Sequence, residues 1–236
     1  MAQQGDPYRR GMVVVAHADD AEWGCSGTVA KWCAEGWEVV YVLCTDGSKG
    51  SDDPEMTACR LAKIREQEQR NAGRVLGVRE VVFLGYEDSM LQPTLELRRD
   101  IAREIRRYRP DVLICESPVR HLSGDGYIGH PDHHAAGEAA LSAVFPTARD
   151  RLTFPELLEQ GMEPHKVREV WVMDHRDPDN FVDVTGYLEI AIKALKQHTT
   201  QVDGEDVELH MKSWRSKTGE KVGFQYAEAF KRFRLS

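Results

Sequence analysis

The sequence has little that marks a membrane, secreted or nucleic-acid-binding protein. No apolar run approaches the roughly 20 residues that a membrane-spanning helix needs. The opening segment MAQQGDPYRRG lacks the apolar centre of a signal peptide. The formal net charge is -8, whereas nucleic-acid binders usually present a basic face. We therefore expect a cytoplasmic protein with no membrane or nucleic-acid partner.

Cysteine is also scarce, with five residues in a chain of 236 and no CxxC pair. An odd, scattered set of thiols predicts neither a disulfide framework nor a cysteine-based zinc knuckle. No GxGxxG or P-loop signature follows the first apolar segment, which argues against a nucleotide-binding site there. Hydrophobic residues make up 41% of the chain, enough for one substantial core, and no repeat or linker is visible. We expect one domain over residues 1–236.

Short apolar, β-branched segments alternate with amphipathic ones in the first two thirds of the chain. The apolar segments cover residues 12–16, 39–44, 80–84 and 111–115. Near-continuous apolar strands separated by helices are typical of a parallel sheet that is covered on both faces. The pattern predicts an α/β fold that is Rossmann-like, with a mostly parallel sheet and helices on both faces.

Two details of this prediction concern helices. The first helix is expected over residues 27–36, with Gly36 ending it. The basic group Lys231, Arg232 and Arg234 is interpreted as the solvated face of a helix.

Ionisable side chains crowd the segment after the first predicted strand, where His17, Asp19 and Asp20 lie within four positions. In open α/β sheets, ligands bind beyond the carboxyl ends of the strands. Buried carboxylates and imidazoles there cost solvation free energy unless they pair or bind a cation. The alternative is that Asp19 or Asp20 caps the following helix.

A second group follows the fourth predicted strand and contains His130, Asp132, His133 and His134 at the start of a helix. His130 and His133 are three positions apart and share one helical face. Both groups belong to the same edge of the predicted sheet. A mixed histidine and aspartate set without cysteine suits Zn²⁺ or another first-row divalent metal. Spacing alone does not choose between Asp19 and Asp20, or between His133 and His134.

Both segments resemble motifs of one family. His17-Ala-Asp-Asp, with Gly24-Cys-Ser-Gly-Thr downstream, resembles the AHPDD and GGT motif of the LmbE-like (PIG-L) zinc-dependent N-deacetylases. Gly-His130-Pro-Asp-His133 resembles the HPDH motif of that family. The segment Arg65-x-x-Glu-x-x-x-Ala is similar to the helix after the second strand. One departure is Ala18, which takes the place of the usual proline.

The resemblance implies a hydrolase that removes an acetyl group from an N-acetylated amino sugar by metal-activated water. It implies His17, Asp20 and His133 as the zinc ligands. Asp19 would be the general base that takes a proton from water.

The resemblance also implies supporting roles. His130 would act on the oxyanion or leaving group, and Asp132 would orient that histidine. Arg65 would contact the sugar and Tyr127 would assist the oxyanion. His198, near the end of a predicted helix, would line the cleft, the alternative being a partner of the helix dipole.

Two alternative functions stay open at this point. The same metal chemistry would serve an amidase that cuts an amino-sugar thiol S-conjugate. A protein of another class would be a non-catalytic metal- or nucleotide-binding Rossmann-like domain. The resemblance further implies a small-molecule amino-sugar substrate and a homo-oligomer, a trimer or hexamer.

Overall fold

One seven-stranded sheet organises the described part of the chain, which in this computed structural model is residues 8–120, 128–173, 175–202 and 206–236. The strand order is β3-β2-β1-β4-β5-β7-β6. Strands β1 to β5 pair in parallel, whereas β7 runs antiparallel to both β5 and β6. The strands are β1 (Arg10–Val15), β2 (Glu38–Thr45), β3 (Glu80–Tyr86), β4 (Val112–Cys115), β5 (Glu169–Val172), β6 (Asn180–Asp183) and β7 (Ala227–Arg234).

Helices follow most of the parallel strands and cover the sheet. They are α1 (Asp20–Ala34), α2 (Ala58–Leu76), α3 (Leu95–Tyr108), α4 (Pro131–Val144), α5 (Glu156–Glu159), α6 (Leu188–Leu195) and α7 (Asp206–Glu220), with a 3₁₀ turn at Thr147–Arg149. None of the helices in the described ranges is both long and apolar enough to cross a membrane.

Strand β1 shows how the two faces of the sheet are filled. Met12 and Val14 pack with residues of α3 and α4 on one face. Val13 and Val15 pack with residues of α1, α2 and α6 on the other. Because helices cover both faces of the sheet, successive residues from Met12 to Val15 are all apolar and do not alternate with polar ones. The predicted α/β fold, with a mostly parallel sheet between two helical layers, is confirmed.

The structure corrects two of the expectations about helices. Helix α1 begins at Asp20 rather than at residue 27, so only a four-residue turn separates it from β1. The basic group Lys231, Arg232 and Arg234 lies on strand β7 rather than on a helix. Strand β7 pairs with both β5 and β6, which fixes an extended backbone whatever its local sequence prefers.

Candidate metal centre

The turn between β1 and α1 holds the first group of ionisable residues. Asp19 adopts the left-handed backbone conformation, with φ of 82°, at the N-cap position of α1. This conformation is uncommon for residues other than glycine, although aspartate tolerates it. Among the described residues, the Asp19 side chain caps none of the helix N–H groups. Its carboxylate is therefore not used as an ordinary helix cap.

Asp20 joins the histidines of the two sequence groups. Its Oδ2 atom lies 3.3 Å from Nδ1 of His17 and accepts the backbone N–H of the same residue at 2.7 Å. Its Oδ1 atom lies 3.2 Å from Nε2 of His133. The strand-end turn and the start of α4 thus meet at one carboxylate, as expected for elements at the same edge of a parallel sheet.

His130 stands at the N-cap position of α4 with its ring against that of His17, the centroids being 4.6 Å apart. Its Nδ1 atom accepts the backbone N–H of Asp132 at 3.2 Å. Burial and the nearby His17 both lower the pKa of His130. A neutral ring that accepts through Nδ1 carries its proton on Nε2, so His130 is a hydrogen-bond donor at that atom.

Asp132 is completely buried, and its closest partners differ from the one that the resemblance implies. Its Oδ2 atom accepts the N–H of Ser89 at 2.7 Å and lies 3.3 Å from Nε2 of His17. Its Oδ1 atom lies 3.9 Å from Nδ1 of His130. The side chain of Asp132 therefore contacts His17 more closely than it contacts His130.

The structure separates the two adjacent histidines of α4. His133 faces Asp20, whereas Nδ1 of His134 lies 3.1 Å from the carbonyl oxygen of Ser117. Within the described ranges, His134 belongs to none of the sets of three donor atoms close enough to share a cation.

Two further carboxylates border the centre and were not singled out from the sequence. Asp88, which is buried, lies with Oδ1 3.2 Å from Nε2 of His17. Glu116, also buried, lies with Oε1 3.3 Å from Nδ1 of His133 and accepts the N–H of Ala16 at 2.9 Å through Oε2. Asp88 closely follows β3 and Glu116 directly follows β4. The signal that would have found them is the rule for strand carboxyl ends, applied to every parallel strand.

The charges of this cluster match what a divalent cation would neutralise. Burial opposes protonation of both histidines, yet Asp132, Asp20 and Asp88 hold the pKa of His17 well above its ordinary value. Asp20 and Glu116 likewise overcome burial and raise the pKa of His133 to about 9. The carboxylates therefore stabilise a positive charge at the centre.

Donor atoms for such a cation are close together. Three sets, each of three atoms lying within 4.8 Å of one another, occur among the described residues: His17 with His130 and His133; His17 with Asp88 and Asp132; Asp20 with Glu116 and His133. The sets contain imidazole and carboxylate donors and no thiol. This chemistry fits a divalent metal, although none of the three sets holds His17, Asp20 and His133 together.

Asp19 and Glu116 are the carboxyl groups that hold a proton most readily. Burial and the charge of Asp20 raise the pKa of Asp19 to about 7. The same two causes raise the pKa of Glu116 to about 8. Asp20 is opposite, because His133 and His17 outweigh burial and hold its pKa well below the usual range. A carboxyl group that titrates near neutral pH suits proton transfer.

Arg65 lies at the His17 end of the centre. It is buried, and its Nη1 donates to the carbonyl oxygens of Gly47 and Lys49 at 2.8 and 2.7 Å. The same Nη1 lies 3.7 Å from Oδ2 of Asp88. Arg65 thus fixes the loop after β2 beside Asp88.

His198 lies behind the β1–α1 turn, with none of its side chain exposed. Its Nε2 atom lies 3.1 Å from Oε2 of Glu22, which also accepts hydrogen bonds from Nε2 of Gln69. His198 therefore packs within the protein rather than on the surface of a cleft. Tyr127 lies outside the described residues.

A cavity of about 560 Å³ opens beside the centre. Asp20, Glu116 and His133 form its boundary with the donor cluster. Its other lining residues are Trp23, Gly24, Met173, Asp206, Val207, His210 and Trp214.

The fold and the donor cluster define an α/β protein with a candidate divalent-metal centre at the carboxyl edge of its parallel strands. Residues 12–144 match the PIG-L family, described as GlcNAc-PI de-N-acetylase. The chain is 31% identical to the diacetylchitobiose deacetylase of Thermococcus kodakarensis, over 93% of this chain and 81% of that protein. The chain belongs to the PIG-L family, so the predicted membership is confirmed.

A second relative and a solved structure also match most of this chain. The chain is 28% identical to a probable N-acetyl-alpha-D-glucosaminyl L-malate deacetylase 2 of Bacillus anthracis, over 85% of each protein. It superposes with a TM-score of 0.88 on the N,N'-diacetylchitobiose deacetylase of Pyrococcus horikoshii solved with its inhibitor MPG. The two are 28% identical, and the match covers 96% of this chain and 84% of the other.

Proposed function

We propose that this protein is a zinc-dependent hydrolase that removes the acetyl group from an N-acetylated amino sugar of the N-acetylglucosaminyl type. The observation that carries the proposal is the contact of Asp20 with both His17 and His133. Relatives named as deacetylases of N-acetylated sugar compounds support the substrate class.

His17, Asp20 and His133 would hold the metal. Two imidazoles and one carboxylate make up a donor set that zinc uses in catalytic sites, where a further position is left for water. When bound, zinc supplies Lewis acidity, which lowers the pKa of water and polarises the amide carbonyl. Asp88 and Asp132 would keep the ring of His17 in place through its other nitrogen.

Asp19 and His130 would move the protons. Asp19 accepts a proton as water adds to the carbonyl carbon of the acetamide. His130 donates a hydrogen bond from Nε2 to the oxygen that gains negative charge. The C–N bond then breaks, the amine takes up the proton that Asp19 had accepted, and the products are acetate and the free amino sugar. Arg65 would contact the sugar at the His17 end.

Three expectations from the sequence stay predictions within this proposal. Tyr127 would assist the oxyanion. The protein would be a homo-oligomer, either a trimer or a hexamer, and cytoplasmic. Light scattering of the purified chain measures the oligomeric state.

The direct test replaces Asp19 by asparagine, which keeps the size of the side chain and removes its basicity. Zinc content is measured by plasma mass spectrometry, and acetate release is measured on N-acetylglucosamine and diacetylchitobiose. We expect Asp19→Asn to retain zinc and to lose activity by roughly 10²–10⁴-fold. Asp20→Asn is the matched comparison and should lose zinc.

Each alternative has its own outcome in this experiment. Full activity of Asp19→Asn would contradict its role as the base. Cleavage of an amino-sugar thiol S-conjugate without acetate release from either sugar would favour the amidase. A wild-type protein that binds zinc tightly and cleaves none of these amides would favour the non-catalytic alternative.

A further inference from the structure

We propose that the cavity beside the centre is a substrate subsite for an uncharged group with a broad apolar face, and this inference depends on the proposed function. The cavity touches the centre through Asp20, Glu116 and His133. Arg65 and Asp88 contact the centre from the His17 side and do not line the cavity. The centre therefore lies between Arg65 and Asp88 on its polar side and the cavity on its other side.

The walls of the cavity are apolar and well supported. Met173 and Val207 are buried, and Trp23 and Trp214 are half-buried with part of their surface toward the cavity. The ring of Trp23 meets that of His210 edge to face, with the centroids 5.7 Å apart. Large aromatic and thioether surfaces of this kind bind ring faces and alkyl groups.

Gly24 is part of this construction, because a Cβ atom there would collide with Sδ of Met173. The absence of a side chain lets Met173 lie directly against α1. A larger residue at position 24 would push Met173 from its place in the cavity wall.

The lining residues away from the centre disfavour an anion. The described lining residues include the carboxyl groups of Asp20, Glu116 and Asp206 and contain no lysine or arginine. Arg215 lies near, with its guanidinium 4.3 Å above the ring of Trp214, but it does not line the cavity. Its Nη2 atom is held by the carboxylate of Glu228 at 3.3 Å and by the carbonyl oxygen of Trp23. At the end of the cavity away from the proposed zinc, a carboxylate or phosphate would therefore meet Asp206 without a lysine or arginine of the described lining to pair with.

The size of the cavity indicates more than an acetyl methyl group. A volume of about 560 Å³ falls within the range of small-molecule sites, roughly 300–1,000 Å³. A ring of six atoms or a short alkyl chain would fill it better than one methyl group. Such a group has two sources in an amide of an amino sugar: a longer acyl group or the substituent at the anomeric carbon.

The test compares two substrate series on the zinc-loaded enzyme. One series lengthens the acyl group of glucosamine from acetyl to butyryl to phenylacetyl. The other keeps the acetyl group and varies the glycoside from methyl to phenyl to 4-carboxyphenyl. Released amine and kcat/KM are measured for the wild type and Trp214→Ala, with Leu209→Ala as the control from the same helix, since Leu209 is exposed and does not line the cavity.

We expect an apolar ring in at least one series to raise kcat/KM by roughly tenfold or more. Trp214→Ala should remove that gain, whereas Leu209→Ala should keep both the gain and the N-acetylglucosamine cleavage of the wild type. The series that shows the gain identifies the source of the group. The 4-carboxyphenyl glycoside should show no gain, and Asp206→Lys should improve it without improving the phenyl glycoside.

A flat response in both series would overturn the subsite, as would a gain that survives Trp214→Ala. A larger gain for the 4-carboxyphenyl than for the phenyl glycoside would also overturn it. Calorimetric binding of the phenyl glycoside to metal-free protein gives a readout without turnover. If no N-acetyl sugar is cleaved but this binding is lost in Trp214→Ala, the proposed function fails and the subsite stands.

Discussion

The backbone N–H of Asp19 donates a hydrogen bond of 3.2 Å to the side-chain Oε1 of Gln69. Gln69 is itself oriented by Glu22, since its Nε2 donates to both oxygens of that carboxylate. On the other side, the carbonyl oxygen of Ala18 accepts Nε2 of Gln201 at 2.7 Å. The left-handed conformation of Asp19 is thus held by side chains from α2 and from the segment after α6. Residues outside the turn aim its carboxyl group.

Gln69→Leu should lower kcat by tenfold or more and leave KM and zinc content close to those of the wild type. The substitution leaves the Asp19 N–H and the Glu22 carboxylate without this partner, so the free energy of unfolding should also fall by about 1–3 kcal/mol. Steady-state kinetics and urea denaturation measure the two effects. Gln67→Leu is the control, because Gln67 lies on the exposed side of the same helix. A parallel loss of zinc would argue against a role in aiming Asp19.

Substitution of each of the two adjacent histidines of α4 should show which of them binds the metal. We expect His133→Ala to lose zinc and activity, because the imidazole facing Asp20 is removed. His134→Ala should keep most of the zinc, because that ring points to the carbonyl of Ser117. Zinc content after equilibration with a weak chelator measures the difference. The reverse pattern would assign the ligand to His134.

Glu116→Leu should weaken zinc binding by roughly 10–100-fold without removing a proposed ligand. Glu116 faces Nδ1 of His133, so it fixes the ring with Nε2 toward Asp20. Competition with a fluorescent chelator measures the dissociation constant. Glu87→Leu, an exposed carboxylate near Asp88 in sequence, should bind zinc like the wild type. Equal affinities for both variants would show that Glu116 has no part in holding the metal.

His198 should contribute stability that depends on pH. Although burial opposes it, the contact with Glu22 raises the pKa of His198 above its ordinary value of 6.5. The folded state therefore favours the protonated ring. Its contribution is fully present below the unfolded pKa of about 6.5 and is lost as the pH rises through the raised, folded value. In metal-free protein, the difference in unfolding free energy between wild type and His198→Gln should shrink over that window, and a growing difference would contradict the assignment.

Arg215→Met should destabilise the fold by about 3–5 kcal/mol, since it leaves the buried carboxylate of Glu228 without its cation. Glu228 also accepts the N–H groups of Gly27 and Thr28, so it fastens strand β7 to helix α1. The double variant Arg215→Met with Glu228→Gln should recover part of the loss, which thermal or urea unfolding measures. Without such recovery, the cost would come from the packing of Arg215 on Trp214.

Much of the fold could be predicted because its strands are buried on both faces and its helices are amphipathic. Four parallel strands and the edge that carries His17 and His133 followed from apolar segments and from topology. Helix α1 was placed too late, because its first turn contains two charged residues: Asp20 faces the centre and Glu22 is buried against Gln69 and His198. Strand β7 was missed, because its pairing with β5 and β6 involves residues distant in sequence.

The features of the site that could not be predicted from the sequence are contacts between residues that are distant in the chain. Asp88 and Glu116 approach His17 and His133 from other strand ends, and no local spacing links them. The same holds for Gln69, which reaches Asp19 from α2 across 50 positions. The orientation of His134 toward Ser117 depends on the loop after β4, so helical spacing alone left His133 and His134 equivalent.

Part of the cavity wall comes from a different part of the chain than the donor cluster. The proposed ligands and bases lie between His17 and His133, inside the segment that matches the PIG-L family, whereas the wall residues Met173, Val207 and Trp214 lie beyond it. Substitutions in the last third can therefore alter which amide is cleaved while the apparatus of cleavage stays intact. For an evolving or engineered lineage, this arrangement lets substitutions at Met173 and on α7 change specificity without touching the donor cluster.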